Sequence, residues 1–231
     1  MLGQQEVPPV GQPLRFLERE AEIATFRSLL SAARAGAGRL VVVEGGAGIG
    51  KTRLLAAARE LAALDGFVVL SARAGELESG FAFGLVRQLF DAPLAALPAD
   101  ERALVLSGAA ALAAPLFAAP LPVGAEDGSD SSFAVLYGLY WLVVNLAARS
   151  PIVLVVDDLH WGDVPSLRWF AFLARRLEGL PLLLLVGSRP LEQANQPILV
   201  DEIFADPARV MIAPCALGRD SVACWLANAW G

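Results

Sequence analysis

An α/β fold, a parallel sheet with helices on both faces, is predicted by three observations on this chain of 231 residues. Short apolar runs alternate along it with longer segments whose apolar residues recur at helical spacing, the pattern of repeated β and α units. Two runs, Ile152 to Val156 and Leu182 to Val186, are apolar at every position, as strands covered on both faces are. The glycine-rich stretch from Gly45 falls between a strand-like and a helix-like segment. With 56% hydrophobic and 18% charged residues, the chain has apolar material for one sizeable core.

Taken in order, residues 1–13 are rich in Gln, Gly and Pro and read as a flexible N-terminus. Glu18 to Ala35 places Ala21, Ile23, Phe26, Leu29, Leu30 and Ala33 on one helical face and stops at Gly36. Arg39 to Glu44 is a short β-branched strand, and Lys51 to Leu64 a helix ended by Asp65-Gly66. Phe67 to Leu70 supplies the second strand. Ala82 to Phe90 and Asp100 to Leu112 read as helices separated by Pro93 and Pro98. Ala113 to Ser132, with Pro115, Pro120, Pro122 and a Gly/Asp/Ser cluster, reads as a loop and the mobile segment of the chain. Phe133 to Ala148 resumes a helix. Ile152 to Asp157 is a strand, Ser166 to Leu177 a helix, Leu182 to Ser188 a strand, Ile198 to Phe204 a helix and Arg209 to Ala213 a strand. Arg219 to Trp230 then begins an amphipathic helix, which reads as the start of a further element. The domain expectation is 14–217 for the main unit and 218–231 for the first helix of a helical lid.

The sequence Gly45-Gly46-Ala47-Gly48-Ile49-Gly50-Lys51-Thr52 satisfies GxxxxGK[ST] in the strand-to-helix context that gives the pattern meaning, and the fold expectation sharpens to a P-loop NTPase. Glycines let the main chain curl so that successive N–H groups point at phosphate oxygens, and the helix start adds partial positive charge. Lys51, the single lysine among 18 basic residues, stands where a compact ammonium is needed between phosphates and a planar guanidinium would not fit. Gly45 to Thr52, with Arg53, form the expected ATP-binding set. The Thr52 hydroxyl is the expected Mg2+ ligand.

The apolar strand Val153 to Val156 ends in Asp157-Asp158, the carboxylates expected where a strand's C-terminal edge meets bound nucleotide. Asp157 is expected to hold magnesium through water, and Asp158 to orient or deprotonate the attacking water. Arg189, at the end of the strand Leu182 to Ser188, admits two readings: a cation sensing the γ-phosphate, or a surface arginine before a Pro turn. His160 is the only histidine and, beside Trp161, reads as a loop-packing residue outside catalysis. Arg175 and Arg176 read as solvated helix residues, with an arginine finger acting in trans as the alternative.

The run Asp157-Asp158-Leu159-His160-Trp161-Gly162-Asp163 resembles the second nucleotide motif of the STAND class of AAA+-like ATPases, and in particular that of large ATP-binding LuxR-type transcriptional regulators. Phe16-Leu17-Glu18-Arg19-Glu20 is similar to that family's hydrophobic-Gly-Arg-Glu signature, with Glu18 where glycine is usual. The resemblance implies that the strand Leu182 to Val186 lies between the glycine-loop strand and the acidic strand. It also implies a slow Mg-dependent ATPase acting as a nucleotide-driven switch, read by downstream domains of the same polypeptide, with self-association an option. DNA would then be bound by a separate C-terminal domain.

The bulk properties agree with that division. A net charge of -6 opposes binding of a phosphate polyanion through the general field of this segment. The two cysteines, Cys215 and Cys224, form no CxxC pair and read as small apolar residues. The apolar runs fall far short of the roughly 20 residues that cross a bilayer. Residues 1–13 lack the cation and apolar stretch of a secretory signal, so a cytoplasmic protein is the expectation.

Overall fold

In the computed structural model, which describes residues 19–118 and 129–214 and only the main chain at 129–132, the strands form one five-stranded sheet in the order β2, β3, β4, β1, β5. The strands are β1 (Arg39–Glu44), β2 (Val68–Arg73), β3 (Ile152–Asp157), β4 (Leu182–Ser188) and β5 (Val210–Ile212), and every pairing is parallel. The helices are α1 (Glu20–Arg34), α2 (Lys51–Leu64), α3 (Gly84–Ala96), α4 (Ala99–Val105), α5 (Ala114–Ala118), α6 (Ser129–Ala147), α7 (Val164–Ala174) and α8 (Pro197–Phe204). The chain has the α/β P-loop NTPase fold, and β4 separates β1 from β3 as expected.

Period-2 alternation divides the strand side chains between two cores. Leu40, Val42, Leu154, Val156, Leu184 and Val186 pack under α3, α6, α7 and α8. Their sequence neighbours Val41, Val43, Val153, Val155, Leu183 and Leu185 pack under α1 and α2. Because both faces are covered, β3 and β4 are buried at every position, which is why they read as unbroken apolar runs. Each fully buried Leu or Val contributes about 1.5–3 kcal/mol relative to an exposed one. No single helix among the described residues is long and apolar enough to cross a membrane.

Five element boundaries differ from the sequence expectation. β2 runs on through Ser71, Ala72 and Arg73, because these residues pair with Val155, Val156 and Asp157 of the neighbouring strand despite their polarity. α3 continues through Pro93 to Ala96, and Phe90 before it and Leu94 after it are buried, so core packing offsets the lost helical hydrogen bond. The expected helix from Asp100 to Leu112 is two pieces: α4, then a 3-10 segment Gly108–Ala113 that opens on Gly108 at φ +61°. Within the expected loop Ala113 to Ser132, residues Ala114–Ala118 are helical and α6 begins at Ser129. Pro115 therefore stands in a first helical turn, where proline costs nothing. The helix expected over Ser166 to Leu177 spans Val164–Ala174, started by Asp163. The expected helix Arg219 to Trp230, the lid at 218–231, both cysteines and Phe16 to Glu18 lie outside the described residues.

Candidate functional site

Parallel pairing brings the C-terminal ends of β1, β3 and β4 to one edge of the sheet, and the glycine loop springs from the first of them. Its entry is tied to β4 by Gly45 N–H donating to the Ser188 carbonyl at 3.2 Å. Gly48 and Gly50 adopt φ of +75° and +99°, a backbone that L side chains rarely adopt, and α2 starts directly after Gly50. The Lys51 ammonium is buried under the loop and donates to the carbonyls of Gly45 and Gly46 at 2.8 and 2.9 Å. The side chain thus crosses the cradle from α2 back to its entrance. Arg19, nearly buried at the start of α1, donates to the Ile49 carbonyl at 3.3 Å and pairs with Glu22 at 2.9 Å, so it braces the loop from outside.

Across the cradle stands the acidic end of β3. The Thr52 hydroxyl donates to Asp157 Oδ2 at 2.7 Å, joining two motifs 105 residues apart. The other oxygen, Oδ1, accepts the Asp158 N–H at 3.0 Å. Gly187 of β4 lies against this carboxylate: a Cβ there would stand 2.9 Å from Asp157 Oδ1 and 2.8 Å from Leu55 Cδ1. Only glycine lets the two strand ends and α2 close this tightly. Nothing in the sequence marked Gly187, because the contact is tertiary.

Asp158 is held differently. Its φ is +55°, an uncommon conformation for a residue with a Cβ, and it turns the side chain out of the strand direction. Oδ2 accepts from Arg73 Nε at 3.2 Å and Nη2 at 3.0 Å. Arg73 sits on the last position of β2, in register with Asp157. The pair is solvent-facing, since the Arg73 side chain is 68% exposed and that of Asp158 20%. Sequence reasoning missed Arg73, because it lay beyond the expected end of its strand.

His160 is completely buried, its ring 5.3 Å from that of Trp161. The loop-packing expectation holds, with one addition: Nδ1 accepts the main-chain N–H of Arg189 at 3.3 Å, which links the acidic loop to the end of β4. An N–H can only donate, so Nδ1 carries a lone pair and the ring is neutral with its proton on Nε2. Nε2 has no partner among the described residues. Burial pushes the His160 pKa below its ordinary value; Asp158 and Asp157 oppose that shift, while Arg189 and Lys51 reinforce it.

The structure gathers Lys51, Thr52, Asp157 and Asp158 at one edge, but not every expected residue makes a contact there. The Arg189 guanidinium and the exposed Arg53 have no hydrogen-bond or ion-pair partner among the described residues, although the Arg189 main chain is fixed by His160. Arg175 pairs with Glu202 at 3.0 Å, and Arg176 lies over the Phe172 ring at 3.6 Å, so both are engaged within their own helix layer. The oxygens of Thr52 and Asp157 form a hard-donor pair of the kind magnesium takes together with water and phosphate. No group of three or more His, Cys, Asp or Glu that would hold a metal by itself occurs among the described residues.

A family model described as AAA ATPase domain matches residues 15–186. In fold, the chain is similar to Cdc6p from Pyrobaculum aerophilum, with a TM-score of 0.51 and 17% identity over 95% of this chain and 51% of that one. It is also similar to the Aeropyrum pernix ORC2 protein, solved as ADPNP-ADP complexes, with a TM-score of 0.47 and 17% identity over 90% of this chain and 50% of that one. An uncharacterized protein of Rhizobium meliloti (strain 1021) is 28% identical, with 78% of this chain and 19% of that protein covered. The chain therefore spans about half the length of these solved structures and about a fifth of the curated relative.

Proposed function

The chain belongs to the AAA ATPase domain family, and from that premise we propose that it binds ATP with magnesium at the edge between Gly45–Arg53 and Asp157–Asp158 and hydrolyses it slowly. In this reading the loop N–H groups and Lys51 hold the phosphates. Magnesium supplies charge neutralisation for the triphosphate, and Thr52 and Asp157 are the residues that would hold it, Asp157 through water. Asp158 orients or deprotonates the attacking water, and Arg189 senses the γ-phosphate. The observation that carries the proposal is the Thr52–Asp157 hydrogen bond of 2.7 Å, which makes one oxygen-lined edge out of the two remote motifs.

The finer role follows from the Asp157 to Asp163 run and its resemblance to LuxR-type regulators. Residues 14–217 act as a nucleotide-driven switch within a longer bacterial transcriptional regulator, with 218–231 opening a helical lid, and the output read by attached domains. DNA is contacted by another part of that protein. The Arg73–Asp158 ion pair favours a second reading, an ATP-binding module without turnover, because the carboxylate proposed as base is already engaged by a cation. Labelled ATP and phosphate release measured on one preparation decide among these. Wild type that binds and Lys51→Ala that does not support the site, whereas equal binding by both ends it. Binding without magnesium-dependent phosphate release leaves the module.

A further inference from the structure

The carboxylate of Asp163 is almost fully buried, and its partners are main-chain N–H groups from two helix starts. Oδ1 accepts Ser166 N–H at 2.9 Å, the ordinary cap of α7. The same oxygen accepts Phe83 N–H at 2.8 Å, and Oδ2 accepts Leu85 N–H at 3.2 Å, both at the start of α3 some 80 positions away. Ser166 adds its hydroxyl as acceptor for Val86 N–H at 3.3 Å. A buried negative charge at two converging helix N-termini is stabilised by both, and in turn it fixes α3 to the acidic loop.

One turn into α3, Gln88 reaches the edge strand. Its Oε1 accepts the Arg73 N–H at 2.9 Å, and its Nε2 donates to Glu78 at 3.3 Å. On the outer edge of the sheet that N–H has no strand partner, so Gln88 ties the outer side of β2's end, whose inner side is held by Ala74 N–H donating to the Asp157 carbonyl at 3.0 Å. From there the Arg73 guanidinium extends to Asp158. We propose that Asp163 and Gln88 are positioning residues for the acidic edge, holding α3 and the Arg73 main chain so that the Arg73 guanidinium stays on Asp158. Neither touches the nucleotide; both act through Arg73. The oxygen that Arg73 holds, Oδ2, is turned to a cation and not to a water, so the clamp restrains turnover. The proposal rests on Asp158 serving the water.

Gln88 is exposed, so its variants fold. In the 231-residue chain, the Arg73 Nε–H resonance is followed by NMR, with Asp158→Asn marking the unpaired position. Gln88→Leu moves the resonance to that position. With magnesium and saturating ATP, it raises turnover about two- to five-fold, the range for loss of an exposed ion pair, and leaves KM and ATP affinity unchanged. In an Arg73→Ala background, Gln88→Leu has no further effect. The paired exchange Gln88→Glu with Glu78→Gln, which keeps both hydrogen bonds, restores the wild-type resonance and rate. Asp163→Asn moves the same resonance while also lowering stability. An unmoved resonance in Gln88→Leu, or a rate effect that adds fully to that of Arg73→Ala, overturns the proposal. If wild type shows no turnover, the reading of Asp158 has failed, and the resonance alone decides whether the clamp exists.

Discussion

The two halves of the nucleotide edge are built by opposite means. The glycine loop is a local object: Lys51 bonds carbonyls five and six residues before it, and two left-handed glycines and a helix start supply the rest of its shape. The acidic half is assembled from across the fold. Asp157 meets Thr52 over 105 residues, Asp158 meets Arg73 over 85, and Asp163 meets Phe83 over 80. A local object keeps its geometry as long as its few residues do. An assembled one depends on the register of β2, β3 and β4 and on the helices that lock them, so it is the half whose geometry a distant change can adjust.

The largest expected effect separates the two halves by function. Asp158→Asn should retain ATP affinity and lose turnover by about 10²–10⁴-fold, the usual contribution of a positioned general base. Turnover that survives this change would remove Asp158 from the chemistry. Lys51→Ala should do the reverse first, weakening ATP binding by about 10- to 100-fold, as expected for loss of charge-assisted hydrogen bonds worth roughly 1.5–3 kcal/mol. Calorimetric titration of both variants with the nucleoside triphosphate checks the contrast. Similar affinities for the two variants would merge the halves into one unit.

The same contrast explains what the sequence discloses. The loop is legible because its chemistry is contiguous: spacing, glycines and a lone lysine all occur within eight residues. β3 and β4 are legible because burial on both faces leaves no polar interruption. Arg73, Gln88 and Gly187 are not legible, because each matters through a partner that only the strand order supplies. Arg73 was further concealed by the polar end of β2, where pairing overrides composition. Asp163 was visible as part of a motif, but its second helix could not be read, since α3 carries no mark of where its first N–H groups bond. The helical turn at Ala114–Ala118 was hidden by Pro115, which punctuates a loop and starts a helix equally well.

A steric test probes the assembled half more gently. Gly187→Ala forces a methyl group to within 2.8 Å of Leu55 Cδ1 and 2.9 Å of Asp157 Oδ1, so the buried Leu55 side chain and the hydrogen-bonded Asp157 carboxylate must give way. Overpacking of this kind costs about 1–3 kcal/mol, read as a lower denaturation midpoint at unchanged slope. Gly46→Ala in the loop, where a Cβ meets nothing within 4 Å, should leave the midpoint in place. Equal losses at both positions would mean that the loop is as tightly built into the fold as the acidic end.

The smallest effect concerns the link between the acidic loop and β4. Native His160 is neutral, because burial opposes its charge and its Nδ1 must accept the Arg189 N–H. Unfolded, the same residue takes up a proton near pH 6.5. Below that pH the unfolded state therefore binds more protons than the native one, and stability falls as pH falls; above it the two states bind alike and stability is level. Between pH 7.5 and 5.5 the loss from this single group amounts to at most about 1.4 kcal/mol. His160→Asn keeps an acceptor for Arg189 but cannot titrate, so urea midpoints of the two proteins should run parallel above pH 7 and converge or cross below pH 6.5. Curves that stay parallel down to pH 5.5 would show that His160 charges freely in the folded protein, and the hydrogen bond to Arg189 could then not be what joins the acidic loop to β4.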